Sequence, residues 1–250
     1  MKWLKYGVGA VALYLVFLVV TVPASLVWNW APKPNGIKLD GISGNLWQGR
    51  VQAASIAGRQ FNDLTWELQP AALLSAKVRA NVTLAGDIQG RGVVEYGLSG
   101  LSVENLKLDS DAGTLLGKRR LPFRTQVAAE IQLNLSDAAQ GTPWCERLNG
   151  RLTLLGLNVN NQFGQFELGN LAGQLSCQQG NIQLAMTERD NRIGVAGNLV
   201  LKANNQVEVN AGIRETAQQP EMLKKNLSFL GNQDANGVYP ITYSGRIPGM

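Results

Sequence analysis

Hydrophobic and polar positions follow two different patterns along this chain, and the change comes near residue 33. From Tyr6 to Pro32 the sequence carries no charged side chain. A helix over residues 6–28 would rise about 33 Å, which is enough to cross the hydrocarbon core of a bilayer. The flanking basic and aromatic residues suit the two membrane surfaces; they are Lys2, Trp3, Lys5, Tyr6, Trp28 and Trp30. The pattern therefore predicts a transmembrane helix over 6–28, with residues 1–5 in the cytoplasm.

A cleaved signal peptide is the competing interpretation of this segment. Val22-Pro23-Ala24 has the small-residue character of a cleavage site and follows a basic N-terminus. The apolar run continues past Ala24 through Trp28, however, which favours an uncleaved anchor. Pro23 is expected to kink or end the helix near its outer end. In both cases residues 33–250 lie outside the cytoplasm.

Beyond residue 33 apolar and polar residues alternate with a period of two, which is typical of half-buried β-strands. The longest alternation runs from Phe123 to Ser136. Glycine and asparagine separate the runs and supply the positive φ of tight hairpins. No helix long enough for a parallel crossover lies between them, so the sheet should be mainly antiparallel. Further strands are predicted at 64–68, 78–84, 193–201, 207–214 and 238–247.

The predicted fold is mainly β, with an N-terminal transmembrane helix followed by one large domain over 33–250. Only two short helices are expected, at Pro70–Leu74 and Pro220–Leu230. A wide sheet has an apolar face that must be covered, and with little helix available the sheet should curl on itself as a half-pipe or a sandwich. Residues 137–144 are the one plausible boundary within the domain, and a long loop between strands of one continuous sheet is the alternative interpretation of this segment. An open apolar groove is the alternative to a closed face.

Charge argues against a nucleic-acid partner. The net charge is +5, and Lys2 and Lys5 account for two of these charges. Nucleic-acid binding needs a clustered basic face with stacking aromatics. The single basic cluster, Lys118-Arg119-Arg120, is interpreted as a solvated loop.

The sequence offers no recognisable catalytic machinery. Histidine is absent, which removes Ser-His-Asp and Cys-His catalysis and makes a zinc site improbable. Phosphate-loop, dinucleotide and G-x-S-x-G motifs are also missing. We therefore predict a non-enzyme without cofactor, metal or catalytic residues. Cys145 and Cys177 lie 32 positions apart in a compartment that permits disulfides, and a structural disulfide is predicted between them.

A group of motifs after the apolar segment carries a family resemblance. The chain reads G-x-x-G-x-L-W-x-G from Gly41 to Gly49, then L-x-W-x-L-x-P from Leu64 to Pro70, then Ala71-Ala-Leu-Leu74. The order resembles protein N of the type II (general) secretion pathway of Gram-negative bacteria, with a weaker similarity to AsmA-type envelope proteins. Ser75-Ala76 replaces the usual glycine after the leucine turn. The motif residues are Gly41, Gly44, Leu46, Trp47, Gly49, Leu64, Trp66, Leu68 and Pro70.

The resemblance implies an accessory inner-membrane component of the machinery that exports folded proteins from the periplasm. It implies a scaffold or assembly role, with inner-membrane secretion-platform proteins and membrane lipid as partners. Self-association into a homo-oligomer is left open. The alternative function is a periplasmic domain that handles lipid or another hydrophobic ligand in an AsmA-like groove. Within the motif, we expect the glycines to permit tight bends and Leu46 and Trp47 to cap the first edge of the sheet.

Overall fold

The computed structural model describes residues 2–30, 36–56, 59–117, 124–162 and 164–246. The chain divides into unit 1, residues 1–98, and unit 2, residues 99–250. Over the described ranges we find thirteen strands, and within each unit every strand pairs antiparallel with its neighbours in sequence. The prediction of a mainly β, antiparallel fold with few short helices is confirmed. The predicted curling of the sheet stays a prediction.

The N-terminal segment of unit 1 forms two helices. Helix α1 spans Lys2–Thr21 and helix α2 spans Ala24–Trp30. Val22 and Pro23 interrupt them, as expected of a proline that lacks the N–H needed to continue a helix. No helix in the described ranges has both the length and the apolar character required to cross a bilayer. The transmembrane assignment of residues 6–28 is therefore not confirmed.

The remainder of unit 1 is a five-stranded antiparallel meander. Polar and apolar residues alternate along the strands, so one face of the sheet is apolar and the other polar. A 3₁₀ turn at Pro70–Ser75 joins the third and fourth strands, which confirms the predicted helical turn. The strands are β1 Ile37–Gly44, β2 Gln48–Ile56, β3 Arg59–Leu68, β4 Val78–Ala85 and β5 Ile88–Gly97.

In the described part of unit 2, eight strands form a meander and two short α-helices occur. The helices are α3 Ala112–Leu116 and α4 Glu221–Asn226. Further 3₁₀ turns lie at Glu188–Asp190, Ala203–Asn205 and Leu227–Leu230. The strands are β6 Gly100–Asp111, β7 Gln126–Gln140, β8 Cys145–Asn161, β9 Gly164–Gln178, β10 Asn181–Met186, β11 Val195–Leu201, β12 Gln206–Arg214 and β13 Val238–Arg246.

Helix α3 covers part of the apolar face of unit 2. Its buried Ala112 packs with Ala129 of β7 and Leu157 of β8. The Asp111 carboxylate accepts a hydrogen bond from the Thr114 N–H at 3.1 Å and so caps the helix. Half-buried apolar residues surround this small core; they are Val127, Ile131, Leu154, Val159, Leu168 and Leu171.

The predicted disulfide is present, and it ties two neighbouring strands. Cys145 begins β8 and Cys177 lies near the end of β9, with Sγ–Sγ at 2.08 Å. Cys145 is buried. In the chain-entropy model a loop of this length contributes about 3–4 kcal/mol by restricting the unfolded chain.

One sequence prediction needs correction, the boundary at 137–144 stays a prediction, and others lie outside the described residues. The long strand begins at Gln126 rather than Phe123, because Arg124 takes a left-handed φ of 53° that cannot continue an extended strand. It then runs on to Gln140, with bulges that break its strict alternation. Residues 137–144 hold the end of β7 and the turn before β8, while the division into units falls after residue 98. Phe123 and the Lys118-Arg119-Arg120 cluster lie outside the described residues.

The predicted C-terminal elements are confirmed. Helix α4 and the following 3₁₀ turn occupy 221–230, and the chain leaves that helical stretch at Gly231. Leu227, which begins the 3₁₀ turn, is almost completely buried. The closing strand is β13, Val238–Arg246.

Candidate functional site

The turn between β1 and β2, residues 45–47, is the centre of the candidate site. The Asn45 carboxamide oxygen accepts hydrogen bonds from the backbone N–H of Trp47 at 3.0 Å and of Gln48 at 2.8 Å. This side-chain acceptor fixes a tight turn. Gly44 enters it at a φ of +92°, and a Cβ there would lie 2.5 Å from the Gln48 carbonyl oxygen. The turn therefore requires glycine at 44.

This turn holds the C-terminal end of α1. The Trp47 indole N–H donates to the Val19 carbonyl at 3.0 Å, and the Leu46 N–H donates to the Val22 carbonyl at 2.9 Å. Pro23 forms an isolated antiparallel bridge with Asn45. The last carbonyls of a helix have no partner within the helix, so the turn supplies donors that the end of α1 lacks. The N-terminal helix and the sheet are thereby joined by specific bonds.

Strand β3 supports the turn from beneath. The Trp66 indole N–H donates to the Leu46 carbonyl at 3.1 Å, and the Leu68 N–H donates to the Trp47 carbonyl at 2.6 Å. Gly49 lies opposite Trp66 in the β2–β3 register. A Cβ on Gly49 would lie 2.6 Å from the Ser43 carbonyl oxygen and closer still to the Trp66 ring. Gly49 is thus needed for the close approach of the Trp66 indole. Among the three glycines of the motif, Gly41 and Gly44 take a positive φ.

An apolar cavity of about 380 Å³ lies between α2 and the apolar face of β1–β4. Ala24 of α2 is buried and Trp28 is half-buried beside it. The other face of α2 stays exposed, and Trp30 has 89% of its surface accessible. The residues that line the cavity are Ala24, Val27, Trp28, Leu39, Ile42, Leu46, Val51, Leu64, Trp66, Leu68 and Ala80.

The structure brings most of the sequence motif together. Gly44, Leu46, Trp47, Gly49, Leu64, Trp66 and Leu68 lie at or beside the turn or line the cavity. Gly41 lies within β1 against the Gln52 side chain, and Pro70 begins the 3₁₀ turn that follows β3. Cys145 and Cys177 belong to unit 2 and are not part of this site.

The residues predicted to flank a membrane segment are placed differently from one another. Tyr6 and Trp30 are exposed, whereas Trp28 packs into the cavity. Lys2, Trp3 and Lys5 fall within α1, and their side chains are outside the description.

Sequence reasoning missed Asn45 and helix α2. The asparagine after Ser43-Gly44 is a recognisable turn former, because its side chain can bond to the backbone two residues on. The packing of α2 onto the sheet had no comparable signal, since Ser25–Trp30 reads as a continuation of the apolar run.

Three charged side chains of unit 1 form a small surface cluster on β4, β5 and the residue before β4. Glu95 accepts hydrogen bonds from Lys77 at 2.7 Å and from Arg79 at 2.9 Å. These bonds hold the pKa of the Glu95 carboxyl below its ordinary value. In the part of the chain that the structure describes, no three His, Cys, Asp or Glu side chains come together in a way that could hold a metal ion. The hydrogen bonds of this site join the N-terminal segment, the β1–β2 turn and β3 to one another.

Comparison with known proteins places this geometry in a family. The family model described as "Type II secretion system (T2SS), protein N" matches residues 35–242. Type II secretion system protein N of Aeromonas hydrophila is 32% identical over 240 residues, covering 94% of each chain. The protein of the same name from Vibrio cholerae is 27% identical over 246 residues, covering 97% of this chain and 98% of its own.

A third relative agrees over nearly the whole length. Type II secretion system protein N of Pectobacterium carotovorum is 25% identical over 241 residues and covers 96% of each chain. No solved structure matches the chain. Because the family model spans most of the sequence and the relatives align from end to end, this chain belongs to the type II secretion system protein N family.

Proposed function

We propose that this protein is an accessory component of the type II secretion system that acts as a scaffold or assembly factor through protein–protein contacts. Family membership supports a function in the type II secretion system. The docking of α1 onto the β1–β2 turn is the observation that supports a scaffold role. Three specific contacts hold the N-terminal segment in a fixed position relative to the folded domain, so the position of one determines that of the other. A flexible tether would need none of these contacts.

The proposed location is the inner membrane, with the apolar N-terminal segment as a single-pass anchor, residues 1–5 in the cytoplasm and the strands of both units in the periplasm. The apolar sequence of α1 supports this location, since no charged residue occurs between Tyr6 and its end at Thr21. Its large apolar side chains are exposed, among them Leu13, Tyr14 and Phe17. Exposure of this kind is favourable in lipid and unfavourable in water. The expected partners are inner-membrane subunits of the secretion platform.

Secretion of a folded periplasmic protein tests this function. A strain lacking the chain should accumulate the exported protein in the periplasm, and the full chain should restore its release. Trp47→Phe should restore release only in part, because it removes the indole donor to Val19 while keeping the aromatic ring. The lost hydrogen bond is worth about 0.5–1.5 kcal/mol of docking free energy.

A matched control separates docking from general loss of stability. Trp144→Phe in unit 2 removes a similar indole bond, to the Lys202 carbonyl at 2.8 Å, far along the chain from the site. It should restore release fully. Normal release and normal levels of the platform subunits in the deletion strain would contradict the scaffold function.

Handling of lipid or another hydrophobic ligand is the second candidate function. One observation favours it, namely the wholly apolar lining of the 380 Å³ cavity beneath α2. Such a cavity binds an apolar ligand more readily than it binds water. Native mass spectrometry of the purified full chain separates the two candidates, because only a ligand-handling protein would retain a ligand of defined mass.

A further inference from the structure

One end of the unit 1 sheet receives the N-terminal helix. Neighbouring strands are antiparallel, so this end of the sheet holds the C-terminal ends of β1, β3 and β5 and the N-terminal ends of β2 and β4. We call it the anchor end and define it by residues 44–48, 68–78 and 96–98. Val19 and Val22 of the N-terminal segment bond to its β1–β2 turn.

The exposed apolar side chains of the unit 1 sheet gather at the anchor end. Among the described residues from 36 to 98, the large apolar side chains that are exposed are Leu73, Leu74, Val78, Tyr96 and Leu98. Leu74 has 92% of its surface accessible and Leu98 is fully accessible. Val78 and Tyr96 lie opposite each other in the β4–β5 register. The turn between β4 and β5, at the other end of the sheet, instead presents the exposed carboxylate residue Asp87.

Packing within unit 1 does not explain this group. Residues Pro70–Ser75 form a turn in which none is buried, so leucine at 73 and 74 fills no core. A polar side chain would serve equally well there if water were the only neighbour. A contiguous set of exposed apolar residues marks a surface that contacts something apolar.

The position of α1 identifies the occupant. Its exposed apolar side chains suit lipid, and its last turn lies within hydrogen-bond distance of the anchor end through Val19 and Trp47. From the β1–β2 turn to β5 is about three to four strand spacings, or on the order of 15–20 Å. The whole anchor end therefore lies close to wherever α1 leaves the membrane.

The polar neighbours also fit a lipid headgroup layer. The basic groups of Lys77 and Arg79 pair with Glu95, and Lys77 directly follows the turn that carries the exposed leucines. Tyr96 offers a ring with a polar tip, a combination that favours the membrane–water interface. Basic groups attract anionic headgroups, while leucines gain from burial among acyl chains.

We propose that the anchor end rests in the headgroup layer of a phospholipid bilayer, with Leu73 and Leu74 inserted among the acyl chains. This inference rests on the membrane location in the proposed function. The sheet of unit 1 would then be held at the membrane surface by two contacts, the docked α1 and the 3₁₀ turn that carries Leu73 and Leu74. This turn would fix which end of the sheet faces the lipid.

A fluorescent label at Leu74 tests the proposal. The full chain carrying Leu74→Cys is labelled with the environment-sensitive dye NBD and reconstituted into phosphatidylethanolamine–phosphatidylglycerol vesicles. The matched control is Asp87→Cys, an exposed turn position at the other end of the sheet. Cys145 and Cys177 are joined to each other and do not compete for the label. The label at 74 should shift to shorter wavelength and be quenched by nitroxide-bearing lipids, while the label at 87 should show neither effect.

The outcomes separate this inference from the function on which it rests. Co-flotation with the vesicles reports membrane association by itself. If the chain floats and the label at 74 stays in water, the inserted leucine turn is wrong while the membrane location stands. If the label is shielded only in native membranes that contain the secretion proteins, and not in pure lipid, the partner of the anchor end is a protein and the lipid proposal is wrong. A chain that fails to float would overturn both.

Discussion

Gly49 shows how a single side chain can be excluded by its neighbour across a strand pair. The Trp66 ring lies over this glycine, and its indole N–H bonds to the Leu46 carbonyl. The turn that holds α1 therefore depends on the Trp66 indole, and this indole fits only because residue 49 has no Cβ. A repeated glycine in a sequence motif does not always mean a bend.

We expect Gly49→Ala to destabilise unit 1 by about 1–3 kcal/mol, the usual cost of forcing a group into a filled space. The free energy of unfolding is measured by urea titration of the detergent-solubilised chain, followed by tryptophan fluorescence. Gly97→Ala is the matched control, because its Cβ would meet the flexible Lys77 side chain, with Cγ at 3.1 Å, and the Ala76 carbonyl oxygen only at an ordinary contact distance of 3.8 Å. Equal stability of the two variants would contradict the role given to Gly49.

At the scale of secondary-structure elements, the turn between β10 and β11 depends on one carboxylate. Asp190 accepts hydrogen bonds from the Thr187 N–H at 3.0 Å and the Thr187 hydroxyl at 2.7 Å. Arg151 of β8 adds a third at 2.9 Å. The two Thr187 bonds and then the arginine keep the pKa of Asp190 below its ordinary value.

Asp190→Ala should lower the free energy of unfolding by about 1 kcal/mol at pH 7, the typical cost of a lost cap. Because the folded pKa is lowered, this stabilisation is fully present above about pH 4 and is lost as the pH falls through the folded pKa. Urea titrations of wild type and variant between pH 7 and pH 2.5 should therefore converge at the acid end. Glu221→Ala removes an exposed pair with Lys224 and should change little. A difference that persists unchanged in acid would show that the charge of Asp190 is not its cause.

Several elements could be predicted from sequence because their signals are local. Alternation is a property of neighbouring residues, and so the predicted bounds of β4, β12 and β13 lie close to the actual ones. The 3₁₀ turn after Leu68 followed from proline at its first position.

Other features of the fold depend on contacts between residues distant in sequence. Helix α2 follows the apolar run without any break in hydrophobicity. Pro23 marks where α1 ends, but the packing of α2 onto the sheet depends on residues far along the chain. The start of β7 was missed because the backbone of Arg124 adopts positive φ, which alternation cannot reveal. The motif around Trp47 was recognised as a pattern, whereas its bonds to Val19 and Val22 required the folded chain.

At the scale of the whole molecule, the remaining question is whether the chain keeps its N-terminal segment. The bond after Ala24 is the predicted cleavage point, and Ala24 is buried in the first turn of α2. The Pro23 carbonyl accepts from the N–H of Leu26 at 3.1 Å, and the Val22 carbonyl is bonded to Leu46. Backbone that is buried and hydrogen-bonded resists proteolysis until it opens locally.

We expect the protein isolated from cells to keep residues 1–24, so that its intact mass matches the full 27.0 kDa chain. Val22→Ala improves the small-residue pattern of the cleavage site and leaves the backbone contact with Leu46 in place. This variant should also stay intact, whereas Val22→Ala combined with Trp47→Ala should release a fragment that begins at Ser25, because the docking bond to Val19 is lost. A wild-type protein that begins at Ser25 would mean that cleavage precedes docking during export. Such a chain would lack α1, and its secretion role would have to be carried by the sheet without an anchor.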